Sequence, residues 1–229
     1  MIFKGRSDIA AYLVFTAALF DFLDGMFARI LNVHSAIGKE LDSLADVITF
    51  GLVPGAIMFT LLQMSDLSLM YISGDFKRIF QFFPFVITVF SALRLAKFNV
   101  DTRQSESFIG LPTPPNTLFI VSLPLILLLE EKYHLRSLIL NPYFIVITSV
   151  ILSYLLVAEI PMFSLKFKSF SWKENRYQYI LLGSSIFLIC IFLYVAIPII
   201  ILLYIFLSLV RNLSGTNRKT RNLANQKLK

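Results

Sequence analysis

Two pairs of acids sit in otherwise apolar sequence. Asp21-Phe-Leu-Asp24-Gly25-Met-Phe-Ala28-Arg29 is followed, after eight residues, by Gly38-Lys-Glu-Leu-Asp42-Ser-Leu-Ala-Asp46. Ionised groups at membrane depth cost several kcal/mol by most estimates, so they face a wet cavity or a partner and mark function. Asp21 and Asp24 are spaced i,i+3 and Asp42 and Asp46 i,i+4, which puts each pair on one helix face. Four carboxylates with no Cys nearby make an oxygen-rich site suited to hard cations such as Mg2+ or Mn2+. Two such ions ~3.5 to 4 Å apart could clamp a diphosphate and assist an in-line displacement. An acid only partly engaged by metal could accept the proton of an incoming hydroxyl. The structural alternative is that these acids pair with Arg29, Lys39 or each other and cap a loop. Matched faces with small residues between them disfavour it.

A hairpin is needed to bring the pairs together. Asp24 and Asp42 each lie nine residues from Val33, and Asp21 and Asp46 are centred half a residue away. An antiparallel turn there sets all four carboxylates level. Ala28 and Gly38 are symmetric about the same point, so they are expected to mark the closest approach of the two helices. Gly25 leaves room beside Asp24 for a ligand. His34, in the turn, reads as a solvated surface residue.

The rest of the chain supplies the scaffold. It is 57% hydrophobic and 15% charged, with a mean hydropathy of +0.75, which places it in the membrane class. The apolar runs do not alternate as barrel strands do, so the fold class is all-α, a polytopic transmembrane helical bundle. Apolar segments fall at about Ile9 to Leu31, Ala36 to Met64, Ile79 to Phe98, Asn116 to Leu129, Tyr143 to Ala158 and Tyr179 to Val210. The last is too long for one crossing of a ~30 Å hydrocarbon core. Lys and Arg concentrate in cytoplasmic loops. Folding that segment back near Ala196 to Pro198 collects Arg29, Lys39, Arg94, Lys97 and the basic tail on one side, which gives about seven helices and acids facing the cytoplasm. Residues 1–210 read as the membrane domain and 211–229 as a basic cytoplasmic tail. Membrane topology explains the net charge of +7, so no nucleic-acid partner is expected. Cys190 in an apolar run reads as packing.

The spacing from Asp21 to Asp46 resembles the signature of the CDP-alcohol phosphatidyltransferase family, D-x2-D-G-x2-A-R-x8-G-x3-D-x3-D, at every specified position. The resemblance implies two divalent cations, Mg2+ or Mn2+, on Asp21, Asp24 and Asp42. It implies that Asp46 is the base for the acceptor hydroxyl while touching one metal. Gly25, Ala28, Arg29 and Gly38 would seat the CDP moiety. Further blocks, Ser43 to Pro54, Arg94-Leu-Ala-Lys97-Phe-Asn99 and Phe108-Ile-Gly110-Leu-Pro112-Thr-Pro114, are similar to the bacterial phosphatidylserine synthase branch.

That branch implies transfer of a phosphatidyl group from CDP-diacylglycerol to serine at the bacterial inner membrane, among membrane lipids, with a homodimer among the assemblies it allows. Arg94 and Lys97 could attract a lipid phosphate or the serine carboxylate, or could serve as membrane-surface anchors. Gly110 to Pro115 reads as a rigid turn. Two competing readings are the same transfer to another alcohol, such as glycerol phosphate or inositol phosphate, and a cation transporter whose ion path is lined by the acids.

Members of this branch resemble a chain with one more helix before the first acid, and seven crossings leave Lys4 and Arg6 on the outer side, against the charge rule. The DNA upstream of Met1 is therefore expected to encode, in frame or after one frameshift, a further apolar stretch of ~20 residues. Sequencing that region and assaying the extended protein, expected to be the more active form with a cytoplasmic N-terminus, checks the expectation.

Overall fold

A computed structural model describes residues 6–31, 35–71, 74–100, 107–165 and 171–227. The apolar runs form helices, because a chain surrounded by lipid must satisfy its backbone hydrogen bonds internally. Helix α1 spans Ser7–Ile30 and α2 spans Ala36–Val47, begun by Ser35, whose Oγ accepts from the Gly38 N–H at 3.3 Å. A π-helical turn, Ile48–Leu52, joins α2 to α3, Val53–Met64, making one continuous rod. Then come α4, Gly74–Phe80, and α5, Val86–Val100, separated by a 3-10 turn at Phe83–Phe85 that contains Pro84. Helix α6 covers Thr113–Leu127, followed by the short α7, Glu130–Tyr133, and α8, Arg136–Ile139. The remaining helices are α9, Pro142–Val157, α10, Trp172–Phe192, and α11, Ala196–Lys227.

Among the described residues, four stretches are long and apolar enough to cross a membrane: Asp8–Ala28, Glu40–Met64, Gly74–Val100 and Asn175–Ser214. Thr113–Leu127 and Pro142–Val157 are shorter apolar helices; the first is buried along most of its length, and the second buries one face and exposes Tyr143, Ile147, Val150, Ile151 and Tyr154 on the other. The fourth stretch is folded, not straight. A 3-10 turn at Leu193–Val195, entered through Leu193 at φ 53°, reverses the chain, a few residues before the expected position. Pro198 falls in the first turn of α11, where its missing N–H is harmless. The reversal is visible in what the two arms touch. Gln178, early in α10, donates from Nε2 to the Ser164 carbonyl at 3.3 Å, and Asn212, far along α11, donates from Nδ2 to the Pro161 carbonyl at 2.7 Å. Both arms therefore end at the same segment, and seven helical passes result among the described residues. The backbone of α11 continues without a break past Val210, so the expected start of the tail is not marked by a change of structure.

The all-α reading holds apart from two three-residue strands. These are β1, Ser107–Ile109, and β2, Pro161–Phe163, paired antiparallel with Phe108 opposite Met162. The pairing ties the loop before α6 to the loop after α9. Gly110 follows β1 at φ 78°, and a Cβ there would lie 2.6 Å from the Leu156 carbonyl oxygen. Its N–H donates to the Ile160 carbonyl at 2.9 Å, and that of Leu111 to the Leu155 carbonyl at 2.8 Å. The expected rigid turn is thus a glycine-dependent junction with the C-terminal end of α9.

One packing expectation is overturned. Among the described residues, a Cβ at Gly38 would meet only Ser35, at 3.4 Å, and both Gly38 and Ala28 are exposed. They do not hold α1 against α2. The close approach lies deeper, between the α2–α3 rod and α5: a Cβ at Gly51 would come within 3.1 Å of Ser91 Cβ, and one at Gly55 would collide with Thr88 and lie 3.3 Å from the Phe85 ring. Gly51 and Gly55, four apart, form a small-residue seam of the kind that lets membrane helices touch backbone to backbone. A lipid-exposed helix has no hydrophobic drive toward its neighbour, so packing at such seams and polar contacts decides the pairing.

Replacing Gly55 with Leu is expected to lower stability by about 1–3 kcal/mol through overpacking against Thr88 and Phe85. Gly38→Ala, at an exposed helical position, is expected to be neutral or stabilising by up to ~1 kcal/mol. Thermal unfolding of the two purified variants in detergent checks the contrast.

Candidate active site

The first hairpin brings three acids together. Asp21 on α1 and Asp42 and Asp46 on α2 each offer a carboxylate oxygen, and these oxygens lie within 4.8 Å of one another. Asp21 and Asp46 are half-buried, Asp42 is exposed, and the Asp21 and Asp46 carboxyls are within hydrogen-bond reach. Asp24, one turn along α1, stands outside this group. It is exposed, yet near enough for its charge to act on Asp21 and Asp42. The i,i+3 and i,i+4 spacings thus produce the expected convergence for three of the four acids, with the fourth at the rim. Of the expected nucleotide-seating residues, Gly25 is half-buried, and Ala28 and Gly38 are exposed on the turn side of the acids. The Arg29 side chain and the turn holding His34 lie outside the described residues.

The turn immediately after α2 fixes the position of Asp46. Between Ile48 and Leu52 the helix widens to π geometry, which leaves carbonyls out of the regular ladder. Hydroxyls from two other helices meet them. Ser91 Oγ donates to the Phe50 carbonyl at 3.3 Å, Thr117 Oγ1 donates to the same carbonyl at 3.0 Å, and Thr88 Oγ1 donates to the Gly51 carbonyl at 3.0 Å. The wall one turn below Asp46 is therefore clamped to α5 and α6. At the other end, Asn99 Nδ2 donates to Ser43 Oγ at 3.1 Å, which ties the end of α5 beside Asp42.

Arg94 and Lys97 part company. Lys97 is exposed, as an anchor at a membrane surface would be. Arg94 is only 6% exposed, donates from Nε to the Leu111 carbonyl at 3.2 Å, and lies with its guanidinium carbon 5.4 Å from the centre of the Phe98 ring. It is close enough for its charge to act on Asp46 and on Tyr204 of α11. A sequence reading finds Arg94 but not Ser91, Thr117 or Tyr204. Their one signal was a polar group within an apolar helix, which is common in bundles and names no partner.

Among the described residues, three converging carboxylates have one buried cation, Arg94, whose charge acts on them. All donors are oxygen. That set fits hard divalent ions, which would relieve the mutual repulsion of the acids.

A family model of CDP-alcohol phosphatidyltransferase matches residues 1–210, the stretch that contains the hairpin, the π turn and every residue just described. The chain belongs to this family. It is similar to the CDP-diacylglycerol--serine O-phosphatidyltransferase of Helicobacter pylori (strain ATCC 700392 / 26695), 39% identical over 128 residues, 55% of this chain and 48% of the relative. The protein of that name from Bacillus subtilis (strain 168) is 32% identical over 158 residues, 66% of this chain and 72% of the relative. The archaetidylserine synthase of Methanothermobacter thermautotrophicus is 35% identical over 113 residues, 48% of this chain and 43% of the relative. The chain spans about half the length of the Helicobacter relative it matches.

Membership of the CDP-alcohol phosphatidyltransferase family and the donor set make one binding prediction. Mn2+ is expected to raise the unfolding temperature of the wild-type protein, because an ion bound only by the folded state stabilises it. Asp42→Asn is expected to remove most of that increase. Differential scanning of both proteins across a Mn2+ titration gives the comparison.

Proposed function

We propose that this protein transfers the phosphatidyl group of CDP-diacylglycerol to the hydroxyl of L-serine, forming phosphatidylserine and releasing CMP. The observation that carries the reading is the convergence of Asp21, Asp42 and Asp46 within 4.8 Å in a chain of this family. The serine oxygen forms a bond to the phosphorus that bears the diacylglycerol. The diphosphate bond to CMP breaks, and CMP leaves with the bridging oxygen and its electron pair. The hydroxyl proton passes to Asp46, which is half-buried at the junction of α1, α2 and α5. Two divalent cations, Mg2+ or Mn2+, held by Asp21, Asp24, Asp42 and Asp46, would supply charge neutralisation of the diphosphate.

The chain's own residues do the positioning. Gly25, Ala28, Arg29 and Gly38 seat the CDP moiety on the turn side of the acids, where Ala28 and Gly38 are exposed. Arg94 draws the serine carboxylate toward Asp46, a role favoured by its burial and by its charge acting on that acid. Lys97 contributes to holding the helix end at the lipid surface. The protein is a multi-pass protein of the bacterial inner membrane with this site facing the cytoplasm, its partners being CDP-diacylglycerol, serine and membrane lipids. The clustering of the acids at one end of the first hairpin supports a surface reaction over a cation path through the bilayer.

Incubating the purified protein with CDP-diacylglycerol, Mg2+ or Mn2+ and a panel of alcohols is expected to release CMP with serine and not with glycerol phosphate or inositol phosphate. Release with either of the latter instead would overturn the choice of acceptor. Asp46→Asn is expected to lower serine-dependent turnover ~10²- to 10⁴-fold while CDP-lipid binding persists. Wild-type turnover in that variant would remove Asp46 from its role.

A further inference from the structure

Among the described buried side chains, one amide leaves its whole hydrogen-bonding capacity unused. Asn116, in the first turn of α6, is 0% exposed, and neither its Nδ2 nor its Oδ1 has a partner. Ser153 Oγ and Gln178 Oε1 also lack partners, but Ser153 has a single hydroxyl and Gln178 is already bound through Nε2. A buried amide unpaired at both ends is heavily penalised, and such a group in a folded protein calls for an explanation. Its backbone does not account for it, since the Asn116 N–H donates normally to the Pro112 carbonyl.

The position of Asn116 is bracketed by two contacts of the proposed site. The next residue, Thr117, donates to the Phe50 carbonyl one turn below Asp46, and Leu111, five residues earlier, accepts from Arg94. The first turn of α6 is thereby held between the helix that carries Asp46 and the guanidinium whose charge acts on it.

We propose that Asn116 is a specificity residue for the acceptor, its amide pairing with the amino-acid head group of serine while Arg94 holds the carboxylate. The inference rests on the serine-transfer reading and deepens it. The chemistry is complementary: Nδ2 donates to a carboxylate oxygen and Oδ1 accepts from the ammonium, so a zwitterion satisfies both ends of one amide. A phosphorylated alcohol offers no ammonium to Oδ1 and places a second negative charge where Arg94 supplies a single positive one. The site therefore discriminates through a group left unpaired by the wrong acceptor.

The test uses the 229-residue wild-type protein and two variants, Asn116→Leu, close to isosteric and apolar, and Asn116→Ala, should the first fail to fold. Serine-dependent CMP release gives KM for serine and for CDP-diacylglycerol, and thermal unfolding is followed with and without serine. The expected result is a rise of about tenfold or more in KM for serine with KM for CDP-diacylglycerol held, together with loss of the serine-dependent increase in unfolding temperature. Without serine, the variants are expected to unfold no earlier than wild type, since an orphaned amide has been removed. A wild-type KM for serine in a folded variant overturns the assignment, as does a lowered unfolding temperature with KM unchanged, which would mark a structural role. A wild-type protein that releases no CMP with serine sinks the underlying reading instead, so the two failures are separable.

Discussion

Carboxylates gathered at the end of an apolar hairpin repel one another and resist desolvation, and the surrounding bundle is organised around holding them there. Asp21, Asp42 and Asp46 come from two helices, so their separation depends on how α1 meets the α2–α3 rod. Exposed residues near the turn do not supply that constraint. The rod is instead fixed from behind, at Gly51 and Gly55, where it presses against Ser91, Thr88 and Phe85 of the α5 region. Rigidity one turn below the acids is a sound arrangement for a site that must bind strongly charged groups, because any widening there would be felt at the carboxylates.

The π turn fits the same logic. At this widened turn three hydroxyls from two helices donate to the Phe50 and Gly51 carbonyls. Local backbone irregularity thus becomes the means of joining three helices in a setting where hydrophobic association is weak. The two bonds to the Phe50 carbonyl are buried, so each is better satisfied than lost, which makes the junction selective as well as stable.

A second organising feature lies at the end of the bundle near Arg94. Pairing of β1 with β2 joins the loops flanking α6 and α9, and the far ends of the α10–α11 hairpin dock on it through Gln178, Asn212 and the hydroxyl of Tyr204, which donates to the Phe163 carbonyl at 3.0 Å. The Phe163 ring lies edge-on to that of Tyr204 at 5.0 Å between centres. Arg94 reaches into this region through the Leu111 carbonyl, so the buried cation beside Asp46 is positioned by chain elements more than a hundred residues apart at their extremes.

What the amino-acid order determined alone was periodic and local. The i,i+3 and i,i+4 spacings placed acids on shared faces, the long apolar runs required helices, and the overlong last run with its distribution of Lys and Arg required a reversal, found at Leu193–Val195. The eight signature residues carried the family with them. Symmetry about Val33 failed as a guide to packing, because equal distance from a turn says nothing of which faces meet, and Gly38 proved exposed while Gly51 and Gly55 took the contact. Arg94 and Lys97, three residues apart, were indistinguishable as letters; burial separated them. The π turn, the hydroxyl clamp and the unpaired Asn116 became visible only in three dimensions. Each depends on which distant backbone or side chain lies opposite, and in a bundle whose helices are apolar on nearly every face, helical periodicity does not encode that neighbour.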